Sequence, residues 1–222
     1  CTLGVLDDDA HIDLRNGLKP DILFYPQPYG GNFDPDFDSM NFFDKLICYY
    51  PYAFWMSKDW WSYDLPFHNK AWKLFYSTEL HRKDAQEYAF NKGRNVEVVG
   101  YPNADNFLFR KHQDVWKPQD KSKKRIIWAP HFTIFSGGFI TQSNFLWMAD
   151  LMLEIAEKYS ERIQFVFKPH PRLFSELCKH EKWGEEKAKQ YYAKWEEREN
   201  TQLESGEFVD LFMTSDAMIH DS

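Results

Sequence analysis

Cysteine is scarce in this chain of 222 residues: only Cys1, Cys48 and Cys178, with no Cys-x-x-Cys pair among them. Three such positions make no disulfide framework, and a reducing compartment is the simpler reading. Long apolar runs are lacking too. No stretch approaches the roughly 20 residues that a membrane-spanning helix needs, and no secretory leader is visible. Basic residues are in deficit, 27 Lys and Arg against 34 Asp and Glu, for a net charge of −7. That balance argues against a nucleic-acid-binding domain, which carries a basic face. An anionic ligand must therefore be held by a local cluster. Nor is there a convincing pair of metal-binding carboxylates. Asp7-Asp8-Asp9 repel one another, and Asp34 and Asp36 are separated by a proline beside Asp38, so both stretches read as solvated loops and no metal is expected.

Aromatic residues, by contrast, make up 18% of the chain, with nine Trp, twelve Tyr and twenty Phe. This exceeds what a minimal core requires, so some rings are expected to line grooves or to meet a partner or membrane surface. The segment 55–67 is dense in Trp and Tyr.

The length allows one large or two small domains. Apolar runs at 20–26, 45–50, 75–78, 95–99, 125–132 and 163–168 read as strands, several closed by proline. Helical patterns fall between them. A helix over 69–74 leads into the strand at 75. Thr78 or its neighbour caps a helix over 79–92 that turns Leu80, Ala85 and Ala89 or Phe90 towards the sheet. A helix over 143–159 carries the apolar stripe Phe145, Met148, Leu151, Met152, Ile155 and Ala156. Strands alternating with helices in this way indicate βα units and parallel sheets. Residues 110–124 are polar and apolar-poor, the composition of a linker. The expected organisation is a first Rossmann-like domain over 1–109, the linker 110–124, and a second Rossmann-like domain over 125–222. Residues 176–202, rich in Lys and Glu, read as a helical excursion with a mostly solvated face, carrying Trp183, Tyr191, Tyr192 and Trp195. The end of the chain reads as a short helix, a Ser-Asp break, a strand over 217–219 and a polar start to a phosphate-binding loop. Because the chain opens on Cys1 and stops inside that pattern, it is expected to be an internal piece of a longer protein, incomplete at both ends.

Chemistry concentrates where strands end. The run 163–167 stops in Lys168-Pro169-His170-Pro171-Arg172, and two prolines bracketing a histidine forbid both a continued ladder and a helix. His170 is thus held on a stiff turn at the carboxyl end of a strand, where ligands bind in open α/β sheets. Lys168 and Arg172 flank it, two fixed cations beside a titratable nitrogen, a set suited to phosphate. Strand 125–132 ends likewise in Ala129-Pro130-His131. His220, in the last strand, reads as a core histidine.

Strand-Ala-Pro-His at 126–131, strand-Lys-Pro-His-Pro at 165–171 and Asp-Leu-Phe-x-x-Ser-Asp-Ala-x-Ile-x-Asp-Ser at 210–222 occur in the order seen in the CDP-glycerol glycerophosphotransferases, the teichoic-acid and capsular-polysaccharide polymerases of the two-Rossmann-domain GT-B plan. The chain resembles that family over roughly residues 20–222, and Gly-Tyr-Pro-x-x-Asp at 100–105 is similar to the turn closing its first domain. The resemblance implies a transferase that moves a glycerol-phosphate, polyol-phosphate or sugar unit from a nucleotide-activated donor, CDP-glycerol or similar, to a hydroxyl of a polymer or lipid-linked acceptor. It implies no cofactor and no nucleic acid, and a cytoplasmic protein that sits peripherally on the inner face of the cell membrane. His170 maps onto the histidine that contacts donor phosphates, with Lys168 and Arg172 beside it, and Asp221 and Ser222 map onto the loop that holds the pyrophosphate. At one point the chain departs from the pattern. Where such polymerases carry a His-Gly-Thr-Pro turn, thought to supply the base, this chain reads Tyr49-Tyr50-Pro51-Tyr52. His131 is the replacement candidate for that base. Two alternatives remain: a nucleotide-sugar glycosyltransferase or epimerase of the same plan, and a catalytically silent scaffold docking through the Trp-rich segment 55–67.

Overall fold

Short runs of β-branched and aromatic residues, most of them stopped by proline or glycine, become the strands of two parallel sheets. The structure is a computed structural model, and it describes residues 17–28, 37–42, 44–120, 122–135, 143–204, 206 and 208–221. The Asp7-Asp8-Asp9 run, the Gly30-Gly31 loop, Asp34 and Asp36, the Gly137-Gly138 loop and Ser222 lie outside the described residues. The chain divides into two units, Cys1–Asp105 and Asn106–Ser222. Both are α/β.

In the first unit, β1 (Ile22–Tyr25), β2 (Leu46–Tyr49), β3 (Lys73–Tyr76) and β4 (Val96–Val98) lie side by side in chain order, all parallel. α1 (Pro66–Lys70) precedes β3 and α2 (Glu79–Tyr88) precedes β4. One face of the sheet is packed: Ile47, Tyr49, Leu74, Tyr76 and Val96 are buried against Phe42, Tyr63, Phe67 and Ala85. On the other face Phe24 remains 66% exposed, its ring 6.2 Å from that of Phe75. The helix expected over 69–74 is displaced. Pro66 starts α1 at its first turn, where a missing N–H costs nothing, and the chain is extended again by Lys73. In α2 the expected inward residue Leu80 is 68% exposed, while Ala85 and Ala89 are buried. The phase is set by His81, whose Nδ1 accepts the Thr78 backbone N–H at 3.2 Å while its Nε2 meets the Trp55 carbonyl at 2.8 Å.

α3 (Asn103–Leu108) carries the chain into the second unit, which holds β5 (Lys124–Ala129), α4 (Phe145–Lys158), β6 (Ile163–Phe167), α5 (Leu173–Lys179), α6 (Gly184–Glu197), β7 (Thr201–Leu203), α7 (Val209–Met213) and β8 (Ala217–His220). Its strands are all parallel, in the order β7-β6-β5-β8. Its middle strands β5 and β6 are covered on both faces, as parallel strands usually are. On one side Trp128, Phe165 and Phe167 pack with Phe145, Leu177, Tyr191 and Trp195. On the other, Ile127 and Val166 meet Trp116 and Leu211.

Three expectations change here. Residues 110–124 are not a free tether. Trp116 is buried in the second core and its indole N–H donates to Thr214 Oγ1 at 3.1 Å. The Lys117 N–H donates to Gln202 Oε1 at 2.7 Å, and Gln164 Nε2 donates back to the Lys117 carbonyl at 2.8 Å. The charged stretch 176–202 turns most of its Lys and Glu to solvent as expected, yet it also supplies core residues. In α6, Ala188, Tyr191 and Trp195 follow a helical period and are all buried, and the stretch ends in the strand β7. In α4 the inward face includes Ala149 and Leu153, whereas Leu151 is exposed. No helix among the described residues is long and apolar enough to cross a membrane.

Candidate functional site

From β5 the chain steps outward to β6 and β7, then returns to place β8 on the opposite side of β5. Such a reversal leaves a crevice beyond the carboxyl ends of the strands on either side of it, the usual ligand position in open parallel sheets. Register fixes what stands there. Trp128 pairs with Phe167, each three residues before its histidine, so the turns carrying His131 and His170 run abreast. Backbone bonds extend the alignment past the strands, from Lys168 N–H to the Trp128 carbonyl at 2.8 Å and from His170 N–H to the Pro130 carbonyl at 3.0 Å. Pro130 and Pro169 have no N–H to prolong the ladder. The two imidazoles therefore sit edge to face, centroids 5.2 Å apart.

His131, Lys168, His170 and His220 all line one cavity of about 460 Å³ at these strand ends. Phe208, Phe212 and Met218 form an apolar wall. The Lys168 ammonium donates to the Gly206 carbonyl at 2.9 Å. Arg172 does not line the cavity. Its guanidinium carbon lies 4.3 Å from the centre of the Phe132 ring, which is itself 4.4 Å from both imidazoles. His220 is corrected: it ends β8 as an exposed residue on the crevice rather than within a core.

Asp221, expected to contact phosphate, is engaged otherwise. Its carboxylate accepts the His131 backbone N–H at 2.6 Å, the Asn144 N–H ahead of α4 at 2.7 Å and the Ser143 hydroxyl at 3.2 Å. A carboxylate with its oxygens so occupied braces the His131 turn and offers no attraction to an anion.

Each imidazole is tied back into its own turn. His170 Nδ1 accepts the Arg172 backbone N–H at 3.1 Å. His131 Nδ1 accepts the Thr133 N–H at 3.3 Å and meets Thr133 Oγ1 at 2.8 Å. Among the described residues no protein group hydrogen-bonds either Nε2. Burial pushes both pKa values below the ordinary histidine range. For His131 the nearby Asp221 opposes this and Arg172 adds to it; for His170 both His131 and Arg172 add to it. Both rings are thus biased towards the neutral form.

The corresponding strand ends of the first unit offer different chemistry. Phe24, Tyr25, Tyr50, Phe75 and Val99 line a groove of about 310 Å³ containing no histidine. The Tyr50 hydroxyl there is buried without a hydrogen-bond partner among the described residues. Among the described residues no cluster of three or more His, Cys, Asp or Glu suits a metal ion. Sequence reasoning passed over Phe132, which stands against both imidazoles, and Thr133, which fixes the ring of His131. It also passed over the wall residues Phe208 and Phe212. A polar residue two positions after a strand-end histidine was the one available signal for Thr133. Comparison of the chain with protein-family models, with curated proteins and with solved structures found no match.

Proposed function

We propose that the second unit binds the diphosphate of a nucleotide-activated donor and that the chain is a transferase of the CDP-glycerol glycerophosphotransferase type, built on the GT-B plan. The transferred group is a glycerol-phosphate, polyol-phosphate or sugar unit, and the acceptor is a hydroxyl of a cell-surface polymer or its lipid-linked precursor. The observation that carries this reading is the convergence of His131, Lys168 and His170 on one crevice at the carboxyl ends of β5, β6 and β8. Imidazole and ammonium donors fixed at that place can hold phosphate oxygens and stabilise the charge that develops on a diphosphate leaving group. The apolar wall of Phe208 and Phe212 suits the less polar remainder of such a donor. Neither cofactor nor metal enters this scheme, and the site of action is the cytoplasmic face of a membrane.

Substituting His170 by Ala tests the reading. Donor-dependent transfer should fall by roughly 100- to 1,000-fold, as on removing one oxyanion donor, with the unfolding midpoint unchanged. Unaltered turnover removes the proposal. Thermal shift with CDP-glycerol, CDP-ribitol and UDP-sugars sorts the donors, because only a ligand of the folded state raises stability. A UDP-sugar preference favours the glycosyltransferase alternative. The scaffold reading rests on the exposed Trp60 and Trp61 and on the aromatic turn at Tyr50 in the first unit. It predicts no stabilisation by any of these nucleotides at millimolar concentration.

A further inference from the structure

We infer that His131 and His170 act together as a pair of neutral Nε2–H donors to one phosphate oxygen cluster, and that neither is a general base. The inference rests on the diphosphate reading above. A backbone N–H can only donate, so the Nδ1 that receives it must carry a lone pair. For His170 the donor is the Arg172 N–H, and for His131 it is the Thr133 N–H. A neutral imidazole with Nδ1 unprotonated has its single proton on Nε2. The nitrogen left without a partner among the described residues on each ring is therefore a donor with no lone pair to offer a hydroxyl, which is what a base requires.

Protonation of either ring would place a second N–H against the backbone N–H already there. The surroundings add to that resistance. Burial lowers both pKa values, Arg172 faces both rings from the start of α5, and each histidine neighbours the other. Asp221, just past the end of β8, acts in the opposite sense on His131 alone, and Lys168 and His220 share the cavity. Thr133 is then a positioning residue: its N–H and hydroxyl turn the His131 ring so that Nε2 is the outward nitrogen. A site of two neutral donors and one ammonium matches the internal diphosphate of a nucleotide donor, in which each phosphorus carries a single negative charge and neither titrates near neutral pH. Gripping it requires no proton from solvent.

Long-range ¹H–¹⁵N correlation on the histidine rings of the intact chain tests this directly, with His131→Gln and His170→Gln spectra supplying the assignments. At pH 7 both rings should show the Nε2–H tautomer. Addition of sulfate, a tetrahedral oxyanion that does not titrate in this range, should shift the Nε2 signals while both rings stay neutral. Calorimetry with CDP-glycerol supplies the second arm. His131→Gln, whose amide places a donor near the Nε2 position, should keep affinity within about threefold. His131→Asn, whose amide reaches only the Nδ1 position, should lose roughly tenfold or more. An Nδ1–H tautomer, or an imidazolium at pH 7, overturns the inference while leaving the donor site intact. The expected tautomers with no response to sulfate or CDP-glycerol overturn the clamp and the diphosphate reading together.

Discussion

The two sheets use the same kind of strand and arrange it differently, and the difference locates the chemistry. In the first unit β1 to β4 follow one another in chain order, so among the described residues no reversal opens a crevice between neighbouring strands. Their carboxyl ends carry phenyl and phenol rings. In the second unit the return of β8 to the far side of β5 creates a reversal, and histidine and lysine stand at it. Coverage differs as well. The middle strands of the second sheet are packed on both faces, whereas the first leaves Phe24 open to solvent. The better-covered sheet is the one that holds polar groups in a fixed geometry. Rings and turns locked by a dense core keep donors where a ligand needs them, without reorganisation on binding.

Removing the core residue contributed by residues 110–124 should produce the largest effect on stability. Trp116→Ala leaves a cavity against Ile127 and Val166 and should cost about 3–5 kcal/mol. Hydrogen exchange should then rise in β5 and β6 and stay unchanged in β2 and β3. Equal loss of protection in both sheets breaks the separation of the chain into two units. Next in size is the effect of His170→Ala on transfer, roughly 100- to 1,000-fold or about 3–4 kcal/mol in the barrier. The comparison sharpens if the stability of the first unit does not move.

Acid should weigh most on the first unit. His68 is fully buried in α1, and burial, partly opposed by Asp64, lowers its pKa to about 4. Its folded-state pKa lies below the unfolded value of about 6.5, so the unfolded chain binds the proton first and stability falls as pH drops from 6.5 towards 4. The loss amounts to about 3 kcal/mol. Urea unfolding at pH 7, 5 and 4 measures it, and His68→Asn should flatten the slope. A slope that persists in that variant assigns the acid sensitivity elsewhere. The smallest effect belongs to Tyr50→Phe. The Tyr50 hydroxyl is buried with no partner among the described residues, so its removal should be neutral within about 0.5 kcal/mol or mildly stabilising. A clear loss of transfer in this variant would place chemistry in the first unit and undo the contrast.

The proline-closed strands were readable because proline ends a ladder by two local means, a fixed φ and a missing N–H. Hence β2, β5 and β6 fall where the residues suggest. β7 was hidden, since Thr201 and Gln202 are polar and their burial depends on bonds to Trp195 and Lys117 that no local pattern announces. Residues 110–124 misled for a similar reason. One tryptophan among charges reads as a linker until the cavity that receives it is known. In the crevice, the stiffness of the His170 turn was legible from Pro169 and Pro171. That His131 stands beside it was not, because the juxtaposition comes from the register of β5 on β6. The engagement of Asp221 with the turn at His131 likewise depends on β8 pairing with β5.

The most direct measurement is a crystal structure of the intact chain with CDP-glycerol bound. The diphosphate should lie at the carboxyl ends of β5, β6 and β8, with oxygens about 3 Å from Nε2 of His170 and within reach of Lys168. Density for the diphosphate in the aromatic groove of the first unit, or anywhere away from His131 and His170, would contradict the account.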